Sequence, residues 1–202
     1  MNTPQRRTLV LGGTRSGKSA WAERQLGTDH AVTYVATAPP RTGDAEWDAR
    51  LAAHRDRRPA SWDTVETGGD PGSLAAVLRS TVDTTLLVDD LGGWLTAAFD
   101  TAGAWEDPAG VGPRCDDLVA AVAACRSRLV LVSPEVGWGV VPATRSGRLF
   151  ADTHGRLNQR VAAACDAVVL VIAGLALPLK RDGKPLYPDE PLYPDEPLYP
   201  AG

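Results

Sequence analysis

The sequence has few cysteines, a small net charge and no long apolar run, and each shortage argues against a class of protein. Its 202 residues include three cysteines, Cys115, Cys125 and Cys165, with no C-x-x-C pair. This scatter predicts reduced thiols in a cytoplasmic protein rather than a disulfide framework. The net charge of −4 favours neither nucleic acid nor an anionic membrane surface. No stretch approaches the roughly 20 apolar residues of a membrane span.

The C-terminal part of the chain differs in composition from the rest. Residues 185–190 read PLYPDE, the same six letters recur at 191–196, and the repeat begins again at 197. Proline at this density removes hydrogen-bond donors and prevents helix, so we expect an extended, mobile tail without catalytic role over 181–202. A docking peptide is the alternative. Residues 1–180 are long enough for one globular domain.

Within 1–180, apolar runs alternate with helical patterns. The runs are rich in leucine and β-branched residues, which is typical of strands buried on both faces of a parallel sheet. The order predicts an α/β sandwich with a mainly parallel central sheet. The predicted strands are 8–11, 32–36, 64–66, 85–89, 129–133 and 167–173; the predicted helices are 18–26, 44–57, 72–82, 115–126 and 144–165. A loop is expected at 103–113.

A glycine-rich loop joins the first predicted strand to the first predicted helix. It has the G-x4-G-K-S spacing of a phosphate-binding P-loop. Its glycines let backbone N–H groups face phosphate oxygens, and the following helix points its positive end at the same anion. Lys18 is the candidate catalytic cation, and the Ser19 hydroxyl is a candidate Mg²⁺ ligand. The loop comprises Gly12, Gly13, Thr14, Arg15, Ser16, Gly17, Lys18 and Ser19.

Such sites need a second acidic residue at the end of a nearby strand. Asp89 follows four residues, 85–88, of the predicted central strand, which would place it beside the loop. We expect it to hold Mg²⁺ directly or through water. Asp90 is a rival one position later, and either residue could instead cap a helix.

A histidine lies among arginines in the predicted helix 44–57. Arg50 precedes His54 by four residues, and Arg57 and Arg58 follow it by three and four. Nearby cations disfavour the imidazolium form, so His54 would stay neutral and nucleophilic. It could attack an α-phosphate to form a covalent nucleotidyl intermediate. Spacing alone leaves open that His54 is an ordinary solvated side chain, and His30 and His154 are expected to be surface residues.

Together these segments resemble the bifunctional adenosylcobinamide kinase / adenosylcobinamide-phosphate guanylyltransferase family of cobalamin biosynthesis. The resemblance runs from about residue 8 to residue 180. Besides the P-loop it includes an H-x3-R-P-x2-W-x3-E spacing that begins at His54. The other matching segments are 34–38, 50–54, 135–142 with its E-V-G-x-G-V-V-P pattern, and 155–160.

The resemblance implies a P-loop fold and two reactions. One phosphorylates the aminopropanol hydroxyl of adenosylcobinamide with ATP or GTP. The other transfers GMP from GTP to that phosphate through a guanylyl-histidine at His54, giving adenosyl-GDP-cobinamide. Mg²⁺ is the implied cofactor, and a homo-oligomer, possibly a trimer, is the implied assembly. The implied nucleotide-binding residues beyond the P-loop are Ala36, Thr37, Ala38, Arg55, Asp56, Arg57, Arg58, Glu66 and Asp89.

Three positions depart from the family pattern. Gly92 stands where the family usually has threonine, Ala97 where it has asparagine, and Pro134 where asparagine commonly precedes the E-V-G block. These departures leave the nucleotide cradle intact and affect the part expected to bind the corrinoid.

Two other classes of function remain open from the sequence. One is a P-loop kinase for another small molecule, without a histidyl intermediate. The other is a non-enzymatic GTP-binding switch that presents the tail to a partner, although the base-recognition motif N-K-x-D is absent from the chain.

Overall fold

The computed structural model describes residues 6–27, 31–38, 43 and 58–187. Strands and helices alternate along most of this part of the chain. The strands are β1 Arg7–Gly12, β2 Val32–Ala36, β3 Asp63–Glu66, β4 Thr85–Asp89, β5 Arg128–Pro134, β6 Ala167–Ile172, β7 Leu175–Arg181 and β8 Lys184–Pro185. The α-helices of the described ranges are α1 Lys18–Leu26, α2 Pro71–Ser80, α3 Leu91–Ala102, α4 Gly112–Ala124 and α5 Arg145–Ala164, with a 3-10 turn at Pro108–Gly110.

The described strands form one sheet in the order β3-β2-β4-β5-β1-β6-β7-β8. Neighbours from β3 to β6 pair in parallel, while β7 and β8 are antiparallel. Alternate residues of β1, β2, β4, β5 and β6 enter two separate cores, as the two-residue period of a strand requires. Leu9 packs with α2, α3, α4 and α5 on one face, and Val10 packs with α1 on the other. The predicted α/β sandwich with a mainly parallel sheet is confirmed.

Most predicted elements are confirmed to within a few residues. The strands 32–36 and 85–89 and the helix 18–26 have the predicted bounds, and the other predicted strands start and end within one residue. The predicted helix 44–57 lies outside the described residues. The loop expected at 103–113 includes the 3-10 turn, and α4 begins inside it at Gly112.

The sequence reading missed α3, which follows β4 directly. Its first turn contains Gly92 and Gly93, two residues that disfavour helix. Asp90 compensates, because its side chain accepts a hydrogen bond from the Gly93 N–H at 2.8 Å and caps the helix. Burial of Leu91, Trp94, Leu95 and Phe99 in the larger core then stabilises it.

The antiparallel end of the sheet was also missed. Ala173 and Gly174 have φ values of 50° and 79°, which suit a two-residue hairpin turn between β6 and β7. The boundary expected at 180 falls inside β7, and β8 pairs with that strand, so the sheet extends past it. Residues 188–202 of the predicted tail lie outside the described part.

Of the helices described, none is long and apolar enough to cross a membrane. The longest, α5, carries arginines along its length.

Candidate active site

The predicted loop and the predicted aspartate meet at one edge of the sheet. Parallel strands β1, β4 and β5 end there, with β5 lying between the other two. In open α/β sheets, ligands bind in the crevice outside this carboxyl edge. The edge therefore brings Gly12–Ser19 and Asp89 together, as the sequence predicted.

The loop has the shape of a phosphate cradle. A Cβ on Gly12 would lie 2.6 Å from the Val171 carbonyl oxygen, and Gly17 has a φ of 93°, so both positions favour glycine. No side chain caps α1, which leaves N–H groups of its first turn for an anion. The Ser16 hydroxyl is buried without a hydrogen-bond partner in the described structure. Lys18 Nζ lies 3.3 Å from the Gly13 carbonyl oxygen, folded back over the loop.

The turn between β6 and β7 contacts this cradle through its backbone. The Gly174 N–H donates to the Ser16 carbonyl oxygen at 2.8 Å. A Cβ on Gly17 would lie 3.3 Å from Gly174 Cα, so the two backbones pack closely. The Ala173-Gly174 pair between two apolar runs was the available sequence signal for this contact.

Asp89 lies at the other side of the site and is bonded to two elements. Ser19 Oγ donates to Oδ1 at 3.2 Å, and the Tyr34 hydroxyl donates to Oδ2 at 3.1 Å. Burial, followed by the nearby Asp90 charge, raises the pKa of Asp89 to about 6, although these two hydrogen bonds and Lys18 lower it. Burial and the Asp89 charge also raise the pKa of Tyr34.

The Ser19–Asp89 pair suits magnesium in its donor chemistry. A hydroxyl and a carboxylate are hard oxygen ligands, and Mg²⁺ is usually held by one or two such groups together with phosphate oxygens. Among the described residues no group of three or more histidine, cysteine or acidic side chains could hold a metal ion. A cation held by this pair would take its remaining ligands from phosphate oxygens and water.

Asp90, the alternative candidate for the metal-binding aspartate, stabilises the start of α3 and the turn before it. Its carboxylate caps α3, and its carbonyl oxygen accepts a hydrogen bond from the Thr37 hydroxyl. The peptide bond between Asp89 and Asp90 is cis. Thr37 is buried, and its hydrogen bond to the Asp90 carbonyl oxygen fixes the turn after β4.

Arg58 connects the arginine-rich segment to Asp89. Its guanidinium carbon lies 3.5 Å from the centroid of the Tyr34 ring, a cation–π contact, and Tyr34 in turn donates to Asp89. His54, Arg55, Asp56 and Arg57 lie outside the described residues. The structure therefore describes only the Arg58 end of the predicted nucleophile segment.

The remaining predicted nucleotide residues lie on the far side of Asp89 from the cradle. Ala36 pairs with Asp89 on β4 and with Glu66 on β3. Ala38 packs against α3, because a Cβ on Gly93 would lie 3.1 Å from its Cα. Glu66 is exposed on the edge strand β3, several strands from the P-loop. It lies next to β2, the strand of Tyr34, which Arg58 contacts.

A second polar cluster was missed by the sequence reading, which left His154 as a surface residue. That prediction is wrong, because His154 has no exposed surface. Its Nε2 lies 3.0 Å from Ser133 Oγ and 2.9 Å from the Pro134 carbonyl oxygen. Burial lowers the pKa of His154, against the opposing effects of Asp90 and the Pro134 hydrogen bond. A polar side chain at 158, four residues later on the same helix face, was the available signal.

The hydrogen bonds of this cluster assign its protons. Ser133 Oγ donates to Asn158 Oδ1 at 2.6 Å, and Asn158 Nδ2 donates to the Pro134 carbonyl oxygen at 3.2 Å. A carbonyl oxygen can only accept, so His154 Nε2 carries a hydrogen, and burial, which lowers the pKa of the ring, favours its neutral form. The cluster thus holds the end of β5 in one position.

Two of the departures from the family pattern contact each other. A Cβ on Gly92 would lie 2.7 Å from Pro134 Cγ. No side chain larger than hydrogen fits at 92 while the proline ring is present. Positions 92 and 134 are therefore coupled by packing.

Comparison with known proteins matches nearly the whole chain. The family model described as cobinamide kinase / cobinamide phosphate guanyltransferase matches residues 8–179. A bifunctional adenosylcobalamin biosynthesis protein CobP of Pseudomonas aeruginosa is 43% identical over 183 residues, covering 89% of this chain and 99% of the relative. Proteins of that description named CobU from Salmonella typhimurium and Escherichia coli are 38% and 36% identical, each covering 85% of this chain and 98% of the relative.

Solved structures support the fold alone. A prototypical ATPase from the type III secretion system of pathogenic bacteria superposes with a TM-score of 0.53 at 14% identity, over 86% of this chain and 56% of that one. EscN, an ATPase of the enteropathogenic E. coli type III secretion system, gives 0.50 at 15% identity, over 84% and 43%. This chain spans about half the length of those proteins. With the cradle, these likenesses confirm the predicted P-loop fold.

The Gly92–Pro134 contact predicts non-additive mutations. Gly92→Thr alone should lower the free energy of unfolding by about 1–3 kcal/mol through overpacking. Pro134→Asn in the same chain should restore most of the loss, with a coupling energy of about 0.5–3 kcal/mol. Urea unfolding of both single variants and the double variant measures this. Gly155→Thr is the matched control, because nothing lies within 4 Å of its Cβ. Additive effects would contradict the contact.

The buried neutral His154 predicts a pH-dependent stability. Its folded pKa is below the unfolded value of about 6.5, so the unfolded state binds the proton first as the pH falls. The difference in unfolding free energy between the wild type and His154→Gln should be constant above about pH 7. Below about pH 6.5 the wild type should lose unfolding free energy relative to His154→Gln, by up to about 1.4 kcal/mol per pH unit. Urea unfolding between pH 5 and pH 8 measures it, and a constant difference throughout would refute the buried neutral ring.

Proposed function

Because the chain belongs to the cobinamide kinase / cobinamide phosphate guanyltransferase family, we propose that it catalyses both reactions of that name. It phosphorylates adenosylcobinamide with ATP or GTP, and then transfers GMP from GTP to adenosylcobinamide phosphate. The product is adenosyl-GDP-cobinamide, an intermediate in assembling the nucleotide loop of cobalamin. The observation that carries the proposal is the phosphate cradle Gly12–Ser19 beside Asp89 in a chain matched over residues 8–179.

In the kinase reaction, the cradle binds the triphosphate and Lys18 balances its charge. Backbone N–H groups of the loop and of the first turn of α1 orient the phosphates for in-line attack. Ser19 and Asp89 are the residues that would hold Mg²⁺, which supplies positive charge opposite the phosphate oxygens when bound. Lys18 leaves the Gly13 carbonyl oxygen to reach the nucleotide.

In the guanylyl transfer, His54 is the proposed nucleophile. A ring nitrogen forms a bond to the α-phosphorus of GTP as pyrophosphate leaves, and the phosphate of the corrinoid then displaces the imidazole. Four residues of extended chain span at most about 14 Å, so His54 stays within that distance of Arg58, which contacts Tyr34 beside Asp89. Arg55, Asp56, Arg57 and Glu66 complete the proposed guanine-nucleotide site.

The corrinoid has a candidate surface in the loop after β5. Trp138, Val140 and Val141 are 61%, 96% and 73% exposed, which is unusual for clustered apolar side chains. The loop begins beside the cradle, because the Glu135 N–H donates to the Gly12 carbonyl oxygen at 3.0 Å. A large, partly apolar macrocycle would cover these side chains while its hydroxyl arm enters the site.

The assembly and compartment are part of the proposal. Family resemblance favours a homo-oligomer, with a trimer as the specific expectation, and no nucleic-acid partner. Cys115, Cys125 and Cys165 are free and buried, and burial raises the pKa of Cys165 to about 12. Such unreactive thiols fit the reducing cytoplasm.

His54→Ala tests the covalent intermediate. It should abolish guanylyl transfer and the acid-labile labelling of the protein by α-³²P-GTP, because no other group takes the nucleotidyl group. Phosphorylation of adenosylcobinamide by ATP should continue. His30→Ala is the matched control and should label normally. Wild-type protein that phosphorylates corrinoid yet never labels would instead favour a kinase without a histidyl step.

Trp138→Ala tests the corrinoid surface. It should raise the KM for adenosylcobinamide by about 10-fold or more, because burial of an indole side chain contributes up to several kcal/mol to binding. The dissociation constant of a fluorescent ATP analogue should not change. An unchanged corrinoid KM with a changed mass in light scattering would assign the surface to a subunit contact instead.

A further inference from the structure

The kinase reaction needs a group to accept the hydroxyl proton of its substrate, and the carboxyl edge of the sheet offers few. Asp89 is bonded to Ser19 and Tyr34, and Asp90 caps α3. Glu66 lies on the edge strand β3, with β2, β4 and β5 between it and the P-loop strand. Of the acidic residues described at this edge, Glu135 remains, directly after β5.

The position of Glu135 is set by both neighbouring strands. In the β1–β5 register Gly12 lies opposite Pro134, and in the β4–β5 register Asp89 lies opposite Val132. β5 therefore continues past the residue that pairs with Asp89, and Glu135 lies at the carboxyl edge of the sheet. Its N–H donates to the Gly12 carbonyl oxygen at 3.0 Å. Glu135 thus lies between the phosphate cradle and the side of the site where Asp89 is.

One of its carboxylate oxygens is held and the other is open. Asn158 Nδ2 donates to Oε1 at 3.2 Å and also to the Pro134 carbonyl oxygen. In the described part of the chain the carboxylate has no further hydrogen-bond partner, so Oε2 is available to a substrate. The side chain of Glu135 is only partly buried.

The buried cluster behind Asn158 keeps this arrangement rigid. Ser133 Oγ donates to Asn158 Oδ1, which orients the amide so that its nitrogen faces Glu135. His154 in turn contacts Ser133 and the Pro134 carbonyl. Burial raises the pKa of Glu135, against the effect of the Asn158 hydrogen bond, and a raised pKa strengthens a carboxylate as a base.

We propose that Glu135 is the catalytic base of the kinase reaction and that Asn158 is its positioning residue. This inference rests on the proposed function. The substrate hydroxyl oxygen forms a bond to the γ-phosphorus as the bond from that phosphorus to the β–γ bridging oxygen breaks. The hydroxyl proton goes to Glu135 Oε2, and ADP or GDP leaves with the bridging oxygen. Glu135 later releases the proton to water.

The guanylyl transfer has no such requirement. Its acceptor is the phosphate of the corrinoid, whose second pKa is about 6, so at pH 8 the attacking oxygen carries no proton. Glu135 should therefore matter in one reaction and not in the other. This asymmetry separates a base from a residue that merely stabilises the fold.

The test compares both reactions in Glu135→Gln, an isosteric change that removes the basic oxygen. Phosphorylation of adenosylcobinamide should lose about 10²–10⁴ in kcat with little change in KM. Guanylyl transfer to preformed adenosylcobinamide phosphate should proceed as in the wild type, which also shows that the variant folds. Glu106→Gln, at an exposed position in the loop before α4, is the matched control and should leave both reactions intact.

Two further variants test the chemistry and the support. Glu135→Ala should regain kinase turnover when formate is added, because a free carboxylate can occupy the space, and rescue would not follow from a structural role. Asn158→Ala should lower kinase kcat and leave guanylyl transfer intact. A kinase kcat within about threefold of the wild type in Glu135→Gln would overturn the proposal, since a base contributes more. Equal loss of both reactions would overturn it also. Wild-type protein without activity on any corrinoid would refute the proposed function instead.

Discussion

The site depends on the carboxylate of Asp89, which connects three parts of the molecule. Ser19 brings the P-loop helix to it, and Tyr34 brings β2. Arg58 lies over the ring of Tyr34 in a cation–π contact. A charge in this partly buried position is tolerated because two hydroxyls donate to it and Lys18 is near. One carboxylate thereby connects the P-loop helix, β2 and, through Tyr34, Arg58.

The neighbouring strand β5 provides the other half of the site. It lies between the P-loop strand and the Asp89 strand, so whatever follows it is delivered into the crevice. The buried Ser133, His154 and Asn158 fix its end, and Pro134 packs on Gly92 at the start of α3. Positions 92 and 134, where the sequence departs from the expected family pattern, are thus coupled by packing, and Pro134 lies opposite Gly12 of the cradle.

Much of this could be predicted from the sequence, for identifiable reasons. The central strands β1, β4, β5 and β6 are mostly apolar runs buried on both faces, and the P-loop has a spacing set by phosphate geometry. Features that depend on tertiary contacts could not be predicted. The Gly92-Gly93 pair disfavours helix, so α3 could not be predicted without its cap and its core contacts. The arginines around His154 in the sequence indicated a surface position, although the side chain is buried. The role of Glu135 depends on strand order and on Asn158, which no local pattern reveals.

The central claim is that Ser19 and Asp89 form the metal side of one nucleotide site. A crystal structure with Mg²⁺ and a non-hydrolysable GTP analogue tests it most directly. The account predicts a cation at about 2.1 Å from Ser19 Oγ, with Asp89 bound to it directly or through water and the phosphates enclosed by Gly12–Ser19. A nucleotide bound elsewhere, or a cation held by other residues while Ser19 stays bonded to Asp89, would contradict it.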